Sequence, residues 1–149
     1  MIEIEAAVDA LVARLRADYP ETMEVARHTE PNAPGIHWSI EPRSSSASPL
    51  WIRGEGWDDA TVGFGRSSSR IELWQMGKTL PPQAEANLEK VCRSVLDGRL
   101  VEWRQDDGSC RYELTLQNGE VIRGMANALA RRRWKTVERF APYGRRLVG

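Results

Sequence analysis

The sequence predicts an α+β fold in one domain over residues 1–149, with an antiparallel sheet of about six strands and helices packed on one face. Residues 100–125 have the pattern of a three-stranded antiparallel meander, and residues 82–97 have the apolar period of a helix. Strand-like segments come in runs joined by tight turns, which favours an antiparallel sheet over a parallel one. A length of 149 residues is typical of one domain.

The first predicted element is a helix over residues 4–17, which Pro20 ends. Acidic side chains early in this segment and basic ones late agree with the helix dipole. Its apolar residues recur at the spacing of one helix face: Ile4, Val8, Leu11, Val12 and Leu15.

The middle of the chain predicts strands. Residues 30–50 are rich in proline and serine and are predicted to be weakly structured, apart from a short strand at 37–40. Polar or glycine-containing turns are then expected at 56–59 and 67–69. These turns separate three predicted strands, at 50–54, 60–65 and 70–74.

The second predicted helix covers residues 82–97. Pro81-Pro82 favours its first turn, and Gly98 supplies the left-handed residue that commonly ends a helix. Its apolar stripe consists of Ala84, Leu88, Val91, Cys92 and Val95.

The meander at 100–125 follows directly. Asp106-Asp107-Gly108 marks its first turn, and Asn118-Gly119 suits a two-residue turn with positive φ at both positions. Between the turns, apolar residues alternate with polar ones and are predicted to face the core: Cys110, Tyr112, Leu114 and Leu116. A last helix is predicted over 126–140.

The charges are distributed unevenly along the chain. The formal net charge is zero, but residues 120–149 hold 8 basic and 2 acidic side chains, so residues 1–119 hold the other 13 and 19. A neutral total argues against a dedicated nucleic-acid binder, but the basic C-terminal segment keeps that alternative open. The first interpretation of this segment is an ordinary solvated surface, and docking on an acidic partner is the second.

The sequence also predicts a cytoplasmic protein with no membrane partner. No apolar run approaches the roughly 20 residues that span a bilayer, and the N-terminal segment is acidic where a secretory signal is basic. Cys92 and Cys110 both fall at predicted core positions, so we expect buried, reduced thiols.

No pattern of catalytic or metal-ligating residues is present. His28 and His37 are the two histidines, and neither they nor the cysteines have the close spacing of a zinc site. We therefore assign no catalytic, cofactor-binding or metal-binding residue and expect no cofactor. Asp58-Asp59 is a pair of carboxylates directly after Trp57, and Glu55 precedes them in the same predicted turn.

Tryptophan is in excess. The chain has six tryptophans where average composition gives about two, and tryptophan and arginine are enriched at interface hot spots. Trp57 lies in a polar turn and is predicted to be exposed. The candidate partner-binding residues are Trp57, Asp58, Asp59, Arg66, Arg70, Arg131, Arg132 and Arg133.

Three segments resemble small bacterial immunity proteins that are encoded beside polymorphic toxins. The segments are 61–65, 70–74 and the helix at 82–97 with the strand 100–103 that follows it. Proteins of this class act by occluding a toxin's active site, so the resemblance implies a toxin or effector as partner. Where some such sequences have histidines and acids, this chain has Ser67–Ser69.

The sequence thus favours a non-enzymatic protein-binding protein, an immunity or adaptor protein that acts by surface occlusion. Two alternatives stay open. One is a small hydrolase or ligand-binding enzyme that uses Glu55, Asp58 and Asp59. The other is a nucleic-acid-associated protein that uses its basic C-terminal helix.

Overall fold

The computed structural model describes residues 2–29, 35–76, 81–126 and 133–144. These residues form an α+β fold of two α-helices and nine strands, as the sequence predicted. The helices are α1 (Ile2–Asp18) and α2 (Pro81–Leu96). The strands are β1 (Met23–Thr29), β2 (Ile36–Pro42), β3 (Leu50–Gly54), β4 (Thr61–Phe64), β5 (Arg70–Glu72), β6 (Leu100–Arg104), β7 (Cys110–Thr115), β8 (Val121–Ala126) and β9 (Thr136–Arg139).

The strands form two antiparallel sheets rather than one. The first has the order β1-β2-β3-β4-β5, and the second has the order β8-β7-β6-β9. Helix α2 lies between β5 and β6 along the chain, so the strands before it and those after it pair among themselves. Two short 3₁₀ helices, Trp57–Asp59 and Leu73–Met76, flank β4 and β5.

The inner faces of both sheets meet the helices in one apolar core. Trp38 of β2 is buried, and its Nε1 donates to Asp9 Oδ1 of α1 at 2.9 Å. Phe64 of the first sheet packs edge to face against Tyr112 of the second, with ring centroids 5.0 Å apart. The predicted stripe of α2 is fully buried: Ala84, Leu88, Val91, Cys92 and Val95.

The alternation predicted for the central meander strand is confirmed. Cys110, Tyr112 and Leu114 are buried, while Arg111 and Glu113 lie on the opposite face. The turn that follows differs from the prediction. Gly119 has φ +89 but Asn118 does not have a positive φ. Leu116 N donates to Glu120 O and Gly119 N donates to Leu116 O, so the loop has three residues and ends in a glycine bulge.

The helix predicted over 126–140 is wrong in its described part. Ala126 ends β8, and Thr136–Arg139 forms β9, which pairs with β6. The spacing of Trp134 and Val137 fits a helix, but pairing with a distant strand overrides that local period. Residues 127–132 lie outside the described residues.

A glycine in β4 makes room for a tryptophan on the outer face of the first sheet. Gly63 pairs with Trp51 across the ladder, and a Cβ at position 63 would overlap the indole ring. The ring therefore lies over the backbone of β4, with His37 at one edge, 6.1 Å away, and Arg53 over it at 5.3 Å.

We expect Gly63→Ala to destabilise the protein by about 1–3 kcal/mol, because the new methyl group displaces the Trp51 ring. In a Trp51→Ala background the same change removes no packing, and alanine suits a strand better than glycine. There it should be neutral or stabilising. Urea unfolding of the four proteins of this cycle measures the coupling. An equal cost of Gly63→Ala in both backgrounds would show that the ring does not depend on this glycine.

Candidate functional site

The outer face of the second sheet carries an exposed apolar row beside arginines. Strand register aligns Val137, Trp103, Arg111 and Met125 across all four strands. The neighbouring row is Arg139, Val101, Glu113 and Arg123. We call these two rows the basic face.

Two large apolar side chains of the basic face are exposed to solvent. Met125 is 62% exposed and Val137 is 53% exposed. Among the described residues the other large apolar side chain with comparable exposure is Trp74, at 54%. Trp103 is half-buried next to Val137, and Arg111 separates it from Met125. Two of the three most exposed large apolar side chains of the described residues therefore share one row.

The charges of the basic face are arranged around Glu113. Glu113 Oε1 accepts from Arg123 Nε at 3.0 Å and from an Arg111 guanidinium nitrogen at 2.9 Å. The hydrogen bond from Arg123, and then that from Arg111, lower the pKa of this carboxyl group below its ordinary value. The Arg111 guanidinium also lies 4.6 Å from the centre of the Trp103 ring. With Arg139 included, the two rows have three cations and one anion.

A groove of about 490 Å³ borders this face between β5 and β8. Tyr112 lies in it and donates from its hydroxyl to Arg70 O at 3.2 Å. Burial raises the pKa of Tyr112 to about 12, so the phenol keeps its proton at neutral pH. A Cβ at Gly124 would overlap the Tyr112 ring, so glycine is needed for the ring to lie against β8.

Trp57 is buried, at 7% exposure, so the prediction that it is exposed is wrong. The 3₁₀ helix Trp57–Asp59 turns its indole into the core. The tryptophan that is exposed is Trp74, which lies in the 3₁₀ helix Leu73–Met76 after β5 and donates from Nε1 to Glu72 Oε2 at 2.7 Å. The polar residues around Trp57 predict a turn, but they do not show whether the indole faces the core or the solvent.

In the acidic turn that contains Trp57, the side chain of Asp59 binds backbone N–H groups of the same turn. Asp59 Oδ1 accepts from the backbone N–H groups of Glu55 at 3.0 Å and Gly56 at 2.9 Å. Glu55 and Asp58 are exposed. None of these acidic residues lines the groove between β5 and β8. The geometry thus gives the turn a structural role as a cap.

The predicted arginines have different surroundings. Arg66 is tied to the fold, since its guanidinium donates to Ser45 O at 2.6 Å and lies 5.2 Å from the centre of the Phe140 ring. Arg70 is exposed and lines the groove. Arg133 is exposed, while Arg131 and Arg132 lie outside the described residues.

A buried glutamate joins the two sheets. Glu102 of β6 is fully buried, and Gly65, with φ +80, leaves the space that its carboxylate occupies. The carboxylate accepts from Arg66 N at 2.8 Å, Ser69 Oγ at 2.6 Å and Arg104 at 2.9 Å. Burial alone would lower the pKa of Arg104, but its hydrogen bonds to Glu102 and Glu138 raise it above the ordinary value.

Other reactive groups have structural surroundings. Cys92 and Cys110 are buried free thiols, as the sequence predicted. Burial raises the pKa of the Cys92 thiol, which disfavours the nucleophilic thiolate. Across the described parts of the chain, no three His, Cys, Asp or Glu side chains come together as metal ligands. Nor does any helix found there have the length and apolar character needed to cross a bilayer.

Comparisons of this chain with protein-family models, with curated proteins and with solved structures found no match. The basic face and the groove are neighbours in the structure. Both use residues of β8, with Met125 and Arg123 common to the two. Together they form one continuous candidate site that covers the outer face of the second sheet and its β8 edge.

Proposed function

We propose that this protein is a non-enzymatic binding protein whose basic face docks on an acidic surface of a protein partner. The observation that supports this most is the row of exposed Val137, half-buried Trp103 and exposed Met125 beside three arginines. Interface cores are enriched in tryptophan, methionine and arginine. Arginines around an apolar row favour a partner with acidic groups around an apolar patch.

The specific role that we propose is that of an immunity or adaptor protein, which covers a functional surface of a toxin or effector. Such a role needs a stable, exposed surface and no catalytic residues, which fits a face built on four paired strands. We place this interaction in the bacterial cytoplasm, where thiols such as Cys92 and Cys110 stay reduced.

We expect Val137→Glu to weaken the purified complex with the partner at least about tenfold. Val137 is exposed, so the change leaves the core intact while it places a negative charge at the β9 end of the apolar row, next to Trp103. The matched control is Ala26→Glu, at an exposed position of β1 in the first sheet. Affinity capture from the native host supplies the partner, and titration calorimetry on the purified pair measures the dissociation constants.

Wild-type protein and Ala26→Glu should bind equally, and their affinity should fall as salt screens the arginines. A complex that Val137→Glu leaves unchanged would overturn the role of the basic face. If duplex or single-stranded oligonucleotides bind with a steep salt dependence and no protein partner binds, the protein is a nucleic-acid binder instead.

A further inference from the structure

We propose that the groove between β5 and β8 binds an extended acidic peptide segment, which adds as a strand to the edge of the second sheet. This deepens the proposed function, on which it rests, because it names the form in which part of the partner is held. Strand addition obtains affinity from main-chain hydrogen bonds and specificity from the side chains around the groove.

The hydrogen-bond pattern shows which backbone groups of β8 face away from β7. Leu116 N donates to Glu120 O, and bonded pairs alternate along an antiparallel ladder. Ile122, Gly124 and Ala126 therefore bond to β7 with both backbone groups. Arg123 and Met125 direct their N–H and C=O groups to the other edge. Among the described strands, β8 pairs with β7 alone.

The edge strand β5 of the first sheet borders the groove on its other side. Phe64 N donates to Ser69 O, and Leu73 N donates to Ala60 O. By alternation, Ile71 bonds to β4, while Arg70 and Glu72 direct their backbone groups away from it. The hydroxyl of Tyr112 already donates to Arg70 O.

The groove thus has a strand edge on each side and the dimensions of a peptide site. Its volume of about 490 Å³ lies in the range of ligand clefts. Residues 122–126 line it, a length of about 16 Å at roughly 3.3 Å per residue. An extended segment of about five residues therefore matches the β8 side.

The lining favours an acidic segment. Ile71, Ile122 and Met76 provide apolar walls, and Arg70 and Arg123 provide two cations at the rim. The acidic residue of the lining, Glu72, accepts a hydrogen bond from Trp74. Acidic side chains at alternate positions of a bound strand would meet the two arginines, with apolar side chains between them.

A second copy of this protein fits the groove less well than a peptide. In a second copy the β8 edge is bordered by that copy's own β5. Two β8 edges could therefore pair only if β5 moved away from β8 in both copies. A free peptide has no neighbouring strand that would block this pairing. Antiparallel self-pairing centred on Arg123 would also place two arginines opposite one another, which is unfavourable.

The test uses the full-length protein and a synthetic set of fluorescent peptides of about eight residues, with Asp or Glu alternating with Val, Ile or Thr. Anisotropy should find members that bind more tightly than about 1 mM. The decisive comparison is Met125→Pro against Met125→Ala. Both remove the methionine side chain, but only proline removes the N–H that faces the groove, and proline is tolerated on an edge strand.

We expect Met125→Pro to bind the peptides at least about tenfold more weakly than Met125→Ala, while circular dichroism shows both folded. As a second measurement, N-methylation of alternate peptide amides should weaken binding to the wild-type protein by a similar factor. In the complex, the amides of Arg123 and Met125 should exchange more slowly with solvent.

Equal binding by the proline and alanine variants, together with no effect of N-methylation, would overturn strand addition. Peptides with Asn and Gln in place of the acids should bind more weakly, and equal binding would overturn the acidic preference. A doubled mass without peptide would identify a second copy as the occupant. We expect Val137→Glu to retain peptide binding and to lose binding of the protein partner. The proposal for the groove and the proposal for the basic face are therefore tested separately.

Discussion

Replacement of Glu102 by leucine is expected to destabilise the fold by about 3–5 kcal/mol. The carboxylate is fully buried and accepts hydrogen bonds from Arg66 N, Ser69 Oγ and Arg104. Leucine has a similar volume but accepts none of these hydrogen bonds, so buried donors lose their partner. Urea unfolding followed by fluorescence measures the change in the free energy of unfolding.

Two controls separate the buried carboxylate from charge in general. Glu138→Gln removes the other carboxylate bound to Arg104, but its side chain is 25% exposed and water can replace it, so we expect a cost below about 1 kcal/mol. Glu120→Gln, at an exposed position, should stay within about 0.5 kcal/mol. If Glu102→Leu is as stable as these controls, the glutamate does not hold the two sheets together.

Leu114→Ala is the second large effect, with an expected loss of about 2–5 kcal/mol. Leu114 is fully buried in the core, where α2 packs against β7. Truncation loses apolar burial and leaves a cavity, because the surrounding strands and helix relax only in part. The same urea measurement applies.

The matched control is Thr115→Ala on the same strand. Thr115 faces the opposite side of the sheet and is half-buried, so its replacement should cost less than about 1 kcal/mol. The reverse order, with Thr115→Ala the more damaging, would place the strand one residue out of register.

Most of the fold could be predicted because it is encoded by local patterns. Helix α2 has proline at its start, glycine after its end and one continuous apolar stripe, all visible in sequence. Strand β3 and the buried alternation of β7 were equally readable. Strand β1 was missed, since His28 and Arg27 near its end hide the alternation. Strand β9 was predicted as helix because its pairing partner is more than thirty residues away.

The candidate site was largely beyond sequence reasoning. The row of Val137, Trp103, Arg111 and Met125 takes one residue from each of four strands, so no local window contains it. The groove needs the edges of two sheets, and a single sheet was expected. Of the predicted partner-binding residues, Arg70 lies at the groove. Its position beside β8 could not be predicted, because the sequence did not indicate a second sheet.

The pairing of β6 with β9 has a consequence for the order of folding. Every other pair of described strands joins neighbours along the chain, whereas Val101 pairs with Arg139. Closing so long a loop costs more entropy than closing a short turn, so β9 should join after the meander of β6, β7 and β8. Val137 and Arg139 would then be the first to leave in local unfolding, and faster hydrogen exchange at Glu138 than at Tyr112 would report it. The basic face would exist only while that last strand is in place.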